Sequence, residues 1–206
     1  MRMFKRITSL VGGIILVIVF VAAAIWVYYG GWTTIVFSNP EQGGEILVYK
    51  EVIGDYSNTK DITEEVYNVL KDSLKIETCS GFGIFFDNPD EVKKDECRSE
   101  VGCILESKDI DKIPEIQKYF RVTEFPVGQF TSTDFPYKGE LSFLVGMWKV
   151  YPQVSKMMKD SKNQLGEEGP IMEIYNMQDS VITYRLCGKK YPGKVSTAAK
   201  IYAADL

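Results

Sequence analysis

EILVYKEV (residues 45–52), DITEEVYNVLKDSLK (61–75) and GIFF (83–86) are the stretches on which the fold turns. The first is rich in β-branched and aromatic residues and reads as a strand. In the second, Asp61 and Glu64 form a capping-box-like start after the turn at Tyr56 to Lys60. Ile62, Val66, Tyr67, Leu70 and Leu74 then recur at helical spacing, which predicts a helix over about 61–75. The third is a short apolar strand closed by Asp87-Asn88-Pro89, a turn signal. The charged stretch 90–100 reads as a loop or ribbon, most simply a solvated loop, and Val101 to Leu105 as another strand. The order is strand, helix, strand, strand.

The same order returns further along. Phe120 to Phe125 and Gln129 to Phe135 read as strands around Pro126-Val127-Gly128. From Glu140 to about Lys159, Leu141, Leu144, Val145, Trp148, Tyr151, Met157 and Met158 fall on helical phases. Pro152 is expected to kink or restart that helix, because it lacks a donor and clashes with the preceding turn. Ile171 to Tyr175 and Val181 to Cys187 are the closing strands, joined by the Met177-Gln178-Asp179-Ser180 turn. Strands alternating with only two helices predict an α+β domain: duplicated units forming an antiparallel sheet with helices on one face. Residues 188–206 are small, basic and aperiodic, and read as a flexible tail.

Outward from this domain, residues 1–9 are a short basic tail and 10–29 an apolar helix without a charge. Twenty residues at ~1.5 Å rise match a ~30 Å hydrocarbon core, so 10–29 reads as a transmembrane helix. Trp26, Tyr28, Tyr29 and Trp32 gather where amphipathic rings settle at the headgroup level. The competing reading is a signal peptide cleaved after Ala22-Ala23-Ala24, but the apolar run continues past it through Ile25 to Tyr29. Residues 30–44, punctuated by glycines and Pro40, read as a linker. Arg2, Lys5 and Arg6 precede the helix, and no Lys or Arg follows it before Lys50. The positive-inside rule then predicts a single-pass protein with a cytoplasmic N-terminus and the domain outside the cytoplasm.

A net charge of −4 with scattered Lys and Arg leaves no basic face for nucleic acid. The chain has no histidine, which excludes Ser-His-Asp and Cys-His nucleophile pairs and every His-containing zinc site. Cys79, Cys97, Cys103 and Cys187 have no CxxC spacing, so no metal site is expected. They are either small buried thiols or, in an oxidising compartment, disulfide partners. Cys97 has no histidine to activate it, and Asp95, Glu96 and Glu100 hold its pKa up, which favours a structural role. No cofactor is expected.

Phe85-Phe86-Asp87-Asn88-Pro89, Asp95-Glu96-Cys97-Arg98 and Glu100-Val101-Gly102-Cys103-Ile104-Leu105 carry a resemblance, continued by Phe135-Pro136-Tyr137, Val150-Tyr151-Pro152 and Glu173-Ile174-Tyr175. With the doubled strand–helix–strand–strand order, residues 45–187 resemble the GyrI-like (gyrase-inhibitory-protein-like) domain. Within it they are most similar to the membrane-anchored, testis-expressed branch of endoplasmic-reticulum autophagy receptors. The resemblance implies two pseudo-equivalent halves around a groove that binds small flat or cationic molecules or contacts a protein. In some members a groove carboxylate hydrolyses strained electrophilic ligands. Two departures stand out: Ile201-Tyr202-Ala203-Ala204-Asp205 does not fit the branch's aromatic-x-x-aliphatic tail motif, and the branch faces the cytosol.

Glu173 is the strongest candidate site residue. Period 2 puts Ile171, Glu173 and Tyr175 on one sheet face and Met172 and Ile174 on the other. With the aliphatic pair under the helices, Glu173 and Tyr175 would face a groove, where a desolvated carboxylate suits capture of a cation or acid–base work. The plain alternative is an edge-strand Glu paired with a Lys. Trp148, Tyr137 and Phe135 are candidate stacking surfaces for a flat ligand, although a lone Trp at helical phase, as Trp148 is, is more commonly helix core. The expected function is a membrane-tethered module binding a small cationic or aromatic molecule. The alternatives are an adaptor that recruits a protein partner and, third, a hydrolase built on Glu173.

Overall fold

The computed structural model describes residues 2–160 and 169–188. In chain order its elements are α1 (Arg2–Tyr28), β1 (Glu41–Gln42), β2 (Ile46–Ile53) and α2 (Thr59–Asn68), which widens into a π-helical turn over Val69–Ser73. Then come β3 (Ser80–Phe85), β4 (Arg98–Leu105), the short α3 (Ile113–Ile116), β5 (Arg121–Glu124) and β6 (Gly128–Gln129). β7 (Thr131–Pro136), α4 (Leu141–Asp160), β8 (Ile171–Asn176) and β9 (Val181–Leu186) complete the described part. The expected tail over 188–206 lies outside the described residues except for Gly188.

The main sheet is antiparallel, in the order β5-β2-β4-β3-β8-β9-β7. The doubled order of the sequence is visible in it. In each half the first strand lies outermost, the last in the middle, and the strand after the helix at the centre: β2-β4-β3 against β8-β9-β7. The halves join at β3 and β8, where Gly81 pairs with Tyr175 and Gly83 with Glu173. β5 adds a strand beyond β2. Two differences from the expected elements are local. Charged residues 98–100 belong to β4 and not to the loop, held there because Asp87 accepts hydrogen bonds from the Arg98 backbone and guanidinium. α4 continues through Pro152 as one helix and does not restart there.

Side-chain alternation sorts the core onto two faces. On the helix face, Val66 and Leu70 of α2 pack on Val48, Cys103 and Leu105, while Val145, Val150 and Val154 of α4 pack on Phe135, Ile182 and Tyr184. On the other face Leu47, Tyr49, Phe82, Ile84 and Met172 cluster with Phe125 and Phe130, which flank the β1–β6 ribbon. Arg185 closes that side: its guanidinium lies 5.0 Å from the Phe125 ring centroid and pairs with Glu45 at 2.6 Å.

Residues 30–44 lie along the domain. Ser38 exchanges two backbone hydrogen bonds with Ser132 and so covers the β7 edge, a strand edge that would otherwise offer unpaired groups. Ile35 is buried beside Phe135. Leu10–Tyr28 within α1 is long and apolar enough to cross a membrane, and it is exposed except at Trp26, which is partly buried against the domain.

Candidate functional site

The centre of the helix face is where α2 and α4 part. β3 contributes only hydrogen atoms there at Gly81 and Gly83. A Cβ at Gly83 would lie 2.8 Å from the Phe85 ring, and one at Gly81 3.4 Å from the Thr63 methyl. The missing side chains leave a groove floored by β3 and β8. Thr63 and Tyr67 of α2 wall one side, and Leu144, Met147 and Tyr151 of α4 the other. Lys60 of α2 reaches Glu140 at 2.9 Å, joining the two walls by an exposed ion pair.

Glu173 rises from the floor. It keeps some solvent-accessible surface, yet protein encloses it on almost every side. Tyr151 donates to Oε1 at 2.5 Å and Tyr175 to Oε2 at 2.9 Å. None of the ion pairs among the described residues includes Glu173. Burial raises its pKa above the usual carboxylate value, and the two tyrosine hydroxyls offset only part of that rise. Burial and the neighbouring carboxylate also push both tyrosines well above their ordinary range, so they serve as donors and not as nucleophiles. A carboxylate offers about four lone-pair sites. Two are taken, which leaves acceptor capacity facing the groove.

Aromatic rings extend from this point. Phe143 packs edge-on against Tyr175 at 5.2 Å and lies 5.3 Å from Tyr137; Tyr151 packs edge-on against Tyr184 at 6.0 Å. The arrangement combines a deep acceptor with apolar rings. That chemistry suits a flat cation.

This chain is similar to Testis-expressed protein 264. It is 28% identical to the protein of that name from Homo sapiens over 162 residues, covering 75% of this chain and 50% of the human protein. It is also 28% identical to the homolog from Mus musculus over 141 residues, covering 66% of this chain and 42% of that protein. The chain therefore spans about half the length of the curated relatives it matches. Among solved structures, the C-terminal domain of EcmrR superposes with a TM-score of 0.51 at 13% identity, over 75% of this chain and 97% of that domain. That likeness shows the fold alone. No family model matches the chain.

The structure brings Glu173, Tyr175 and Tyr137 to the groove. It does not bring Phe135 or Trp148 there. Phe135 is buried under α4, where Gly146 lets the helix come close; a Cβ at Gly146 would lie 3.2 Å from its ring. Trp148 points outward, 64% exposed, and stacks on Trp26 of α1. The side of the sheet is also reversed. Met172 packs on the face away from the helices, so Glu173 and Tyr175 look up between α2 and α4. The reason is that β8 is central and covered on both sides, so both of its faces carry apolar residues and composition does not tell them apart. Tyr151, Phe143, Met147 and the two floor glycines had not been singled out as site residues. Tyr151 carried a signal all the same, since a tyrosine at a core phase needs a partner for its hydroxyl.

All four cysteines are free thiols, Cys79 exposed and the others buried. Burial first, then Asp87 and Asp55, raises the Cys97 thiol, and burial pushes Cys103 up to about 12.

Proposed function

We propose that this chain is a membrane-tethered, GyrI-like binding module that takes a small aromatic cation into the groove over β3 and β8, with Glu173 as its charge partner. The observation that carries this reading is the Glu173 carboxylate: deep, held at both oxygens by tyrosine hydroxyls, and without a Lys or Arg partner among the described residues. A charge enclosed by protein is costly unless a counter-charge compensates it. A ligand cation supplies that compensation, and the rings of Phe143, Tyr137 and Tyr175 supply stacking. α1 supplies the anchor, with the domain outside the cytoplasm.

The test is titration of fixed-charge aromatic cations, such as tetraphenylphosphonium and N-methylquinolinium, against neutral counterparts of similar shape. Cations bind wild type, and Glu173→Gln lowers their affinity roughly 10²-fold, the ~3 kcal/mol lost with a desolvated charge pair. Glu124→Gln, an exposed position on β5 outside the groove, leaves affinity unchanged. Equal binding to wild type and Glu173→Gln overturns the reading. Binding to neither form moves weight to an adaptor whose groove contacts a protein.

A further inference from the structure

The membrane span ends against the folded domain. Trp26 sits two residues before Tyr28, about 3 Å along the helix axis at ~1.5 Å per residue. Its ring stacks on Trp148 of α4 with centroids 6.2 Å apart and planes 29° apart. The joint is tight around this pair. Gly31 packs on the Trp26 indole so closely that a Cβ there would lie 2.1 Å from Nε1. Gly30, at φ +94, lets the chain turn against Phe135 and Pro136. Lys138 places its ammonium 5.0 Å over the Tyr28 ring. α1 and α4 thus meet through packed side chains, and the depth of one fixes the depth of the other.

α4 is shaped for that depth. Leu141, Leu144, Met147 and Trp148 are 41%, 46%, 46% and 64% exposed, an apolar stripe beginning where α1 ends. α4 carries Lys149, Lys156 and Lys159, and its one acidic residue, Asp160, is the last of the helix. Apolar and aromatic residues on one side, with lysines outnumbering acids, is the composition of a helix lying in a bilayer interface. On a protein held away from the membrane, the stripe would be an unexplained apolar patch in water.

We propose that the outer stripe of α4 rests in the headgroup layer of the bilayer that α1 crosses, so that the domain lies flat on the membrane. The inference rests on the anchor reading of α1. Leu144 and Met147 also line the groove, so its mouth then opens at the bilayer surface, where amphiphilic cations concentrate.

The experiment uses the full chain with Cys79→Ser in phosphatidylcholine nanodiscs, carrying one nitroxide at a time at Val19→Cys, Leu144→Cys, Met147→Cys or Glu124→Cys. Glu124 is exposed on β5, at the sheet edge opposite β7. Collision rates with oxygen and with a water-soluble nickel chelate report depth. The expected result is oxygen-rich, nickel-poor contact at Val19, and nickel contact at Leu144 and Met147 several-fold below that at Glu124. Labels at both α4 positions as nickel-accessible as Glu124, with Val19 in lipid, overturn this inference and leave the anchor standing. Labels shielded from both reagents lie against protein and count equally against it. A water-exposed Val19 overturns the anchor reading itself.

Discussion

Glu173 is held by a balance in which burial dominates. Its folded-state pKa is raised, so the folded chain keeps the proton to higher pH than the unfolded chain. The stability it contributes is present below the unfolded value of about 4.3 and is lost as pH rises through the folded value. Glu173→Gln, which cannot ionise, is therefore expected to melt above wild type at pH 8, with the gap closing as pH falls toward 4.5. Thermal unfolding in detergent at the two pH values checks this, and a gap that widens on acidification would contradict it. Tyr151→Phe acts in the opposite sense on the same group. It removes a hydrogen bond that favours the carboxylate, of a kind worth ~1.5–3 kcal/mol, and so raises the Glu173 pKa further. Cation affinity, which needs the ionised form, should then fall off at a higher pH in Tyr151→Phe than in wild type. Period 2 made Glu173 and Tyr175 legible as neighbours in the sequence. Tyr151 was not, because helical phase says which residues share a side of α4 but not which strand that side meets.

At the scale of elements, the groove exists because a central strand lacks side chains. Gly81 and Gly83 sit on the helix face of β3 opposite Tyr175 and Glu173, where a β-branched residue would ordinarily improve a strand. Gly83→Val is expected to retain the fold, because the atoms it meets first are the end of the half-buried Phe85 ring, which can turn aside. Its side chain fills the floor beside Glu173, so cation affinity should drop more than tenfold while circular dichroism is unchanged. Unaltered affinity would place the ligand elsewhere. α4 offers a second test. Pro152 is exposed inside a continuous helix, where it withholds the amide that would bond to Trp148 O. Pro152→Ala restores that bond and should stabilise the chain by up to ~3 kcal/mol, read as a higher melting temperature with ligand affinity intact. Both helices and the doubled strand order could be read from periodicity. The pairing of β3 with β8 could not, since alternation gives the face of a residue and never the neighbour of its strand.

At the scale of the whole molecule, the side of the membrane is decided far from the groove. Arg2, Lys5 and Arg6 stand before α1, and the first basic residue after it is Lys50, so charge bias points the N-terminus inward and the domain outward. The fold contributes a reporter for this. Cys79 is the exposed thiol, whereas Cys97, Cys103 and Cys187 are buried with their pKa values raised, which suppresses the thiolate that reacts. A membrane-impermeant maleimide applied to intact cells, or to spheroplasts where an outer membrane intervenes, is therefore expected to label the chain once, and Cys79→Ser to abolish labelling. Labelling only after lysis would put the domain in the cytosol and make the three N-terminal charges subordinate to some other signal. The result also bears on the groove. Outside the cytoplasm, a site with a raised carboxylate pKa meets whatever pH the exterior has. On the proposed reading, acidification through that pKa would protonate Glu173, remove the charge proposed to hold a cation, and release such a ligand.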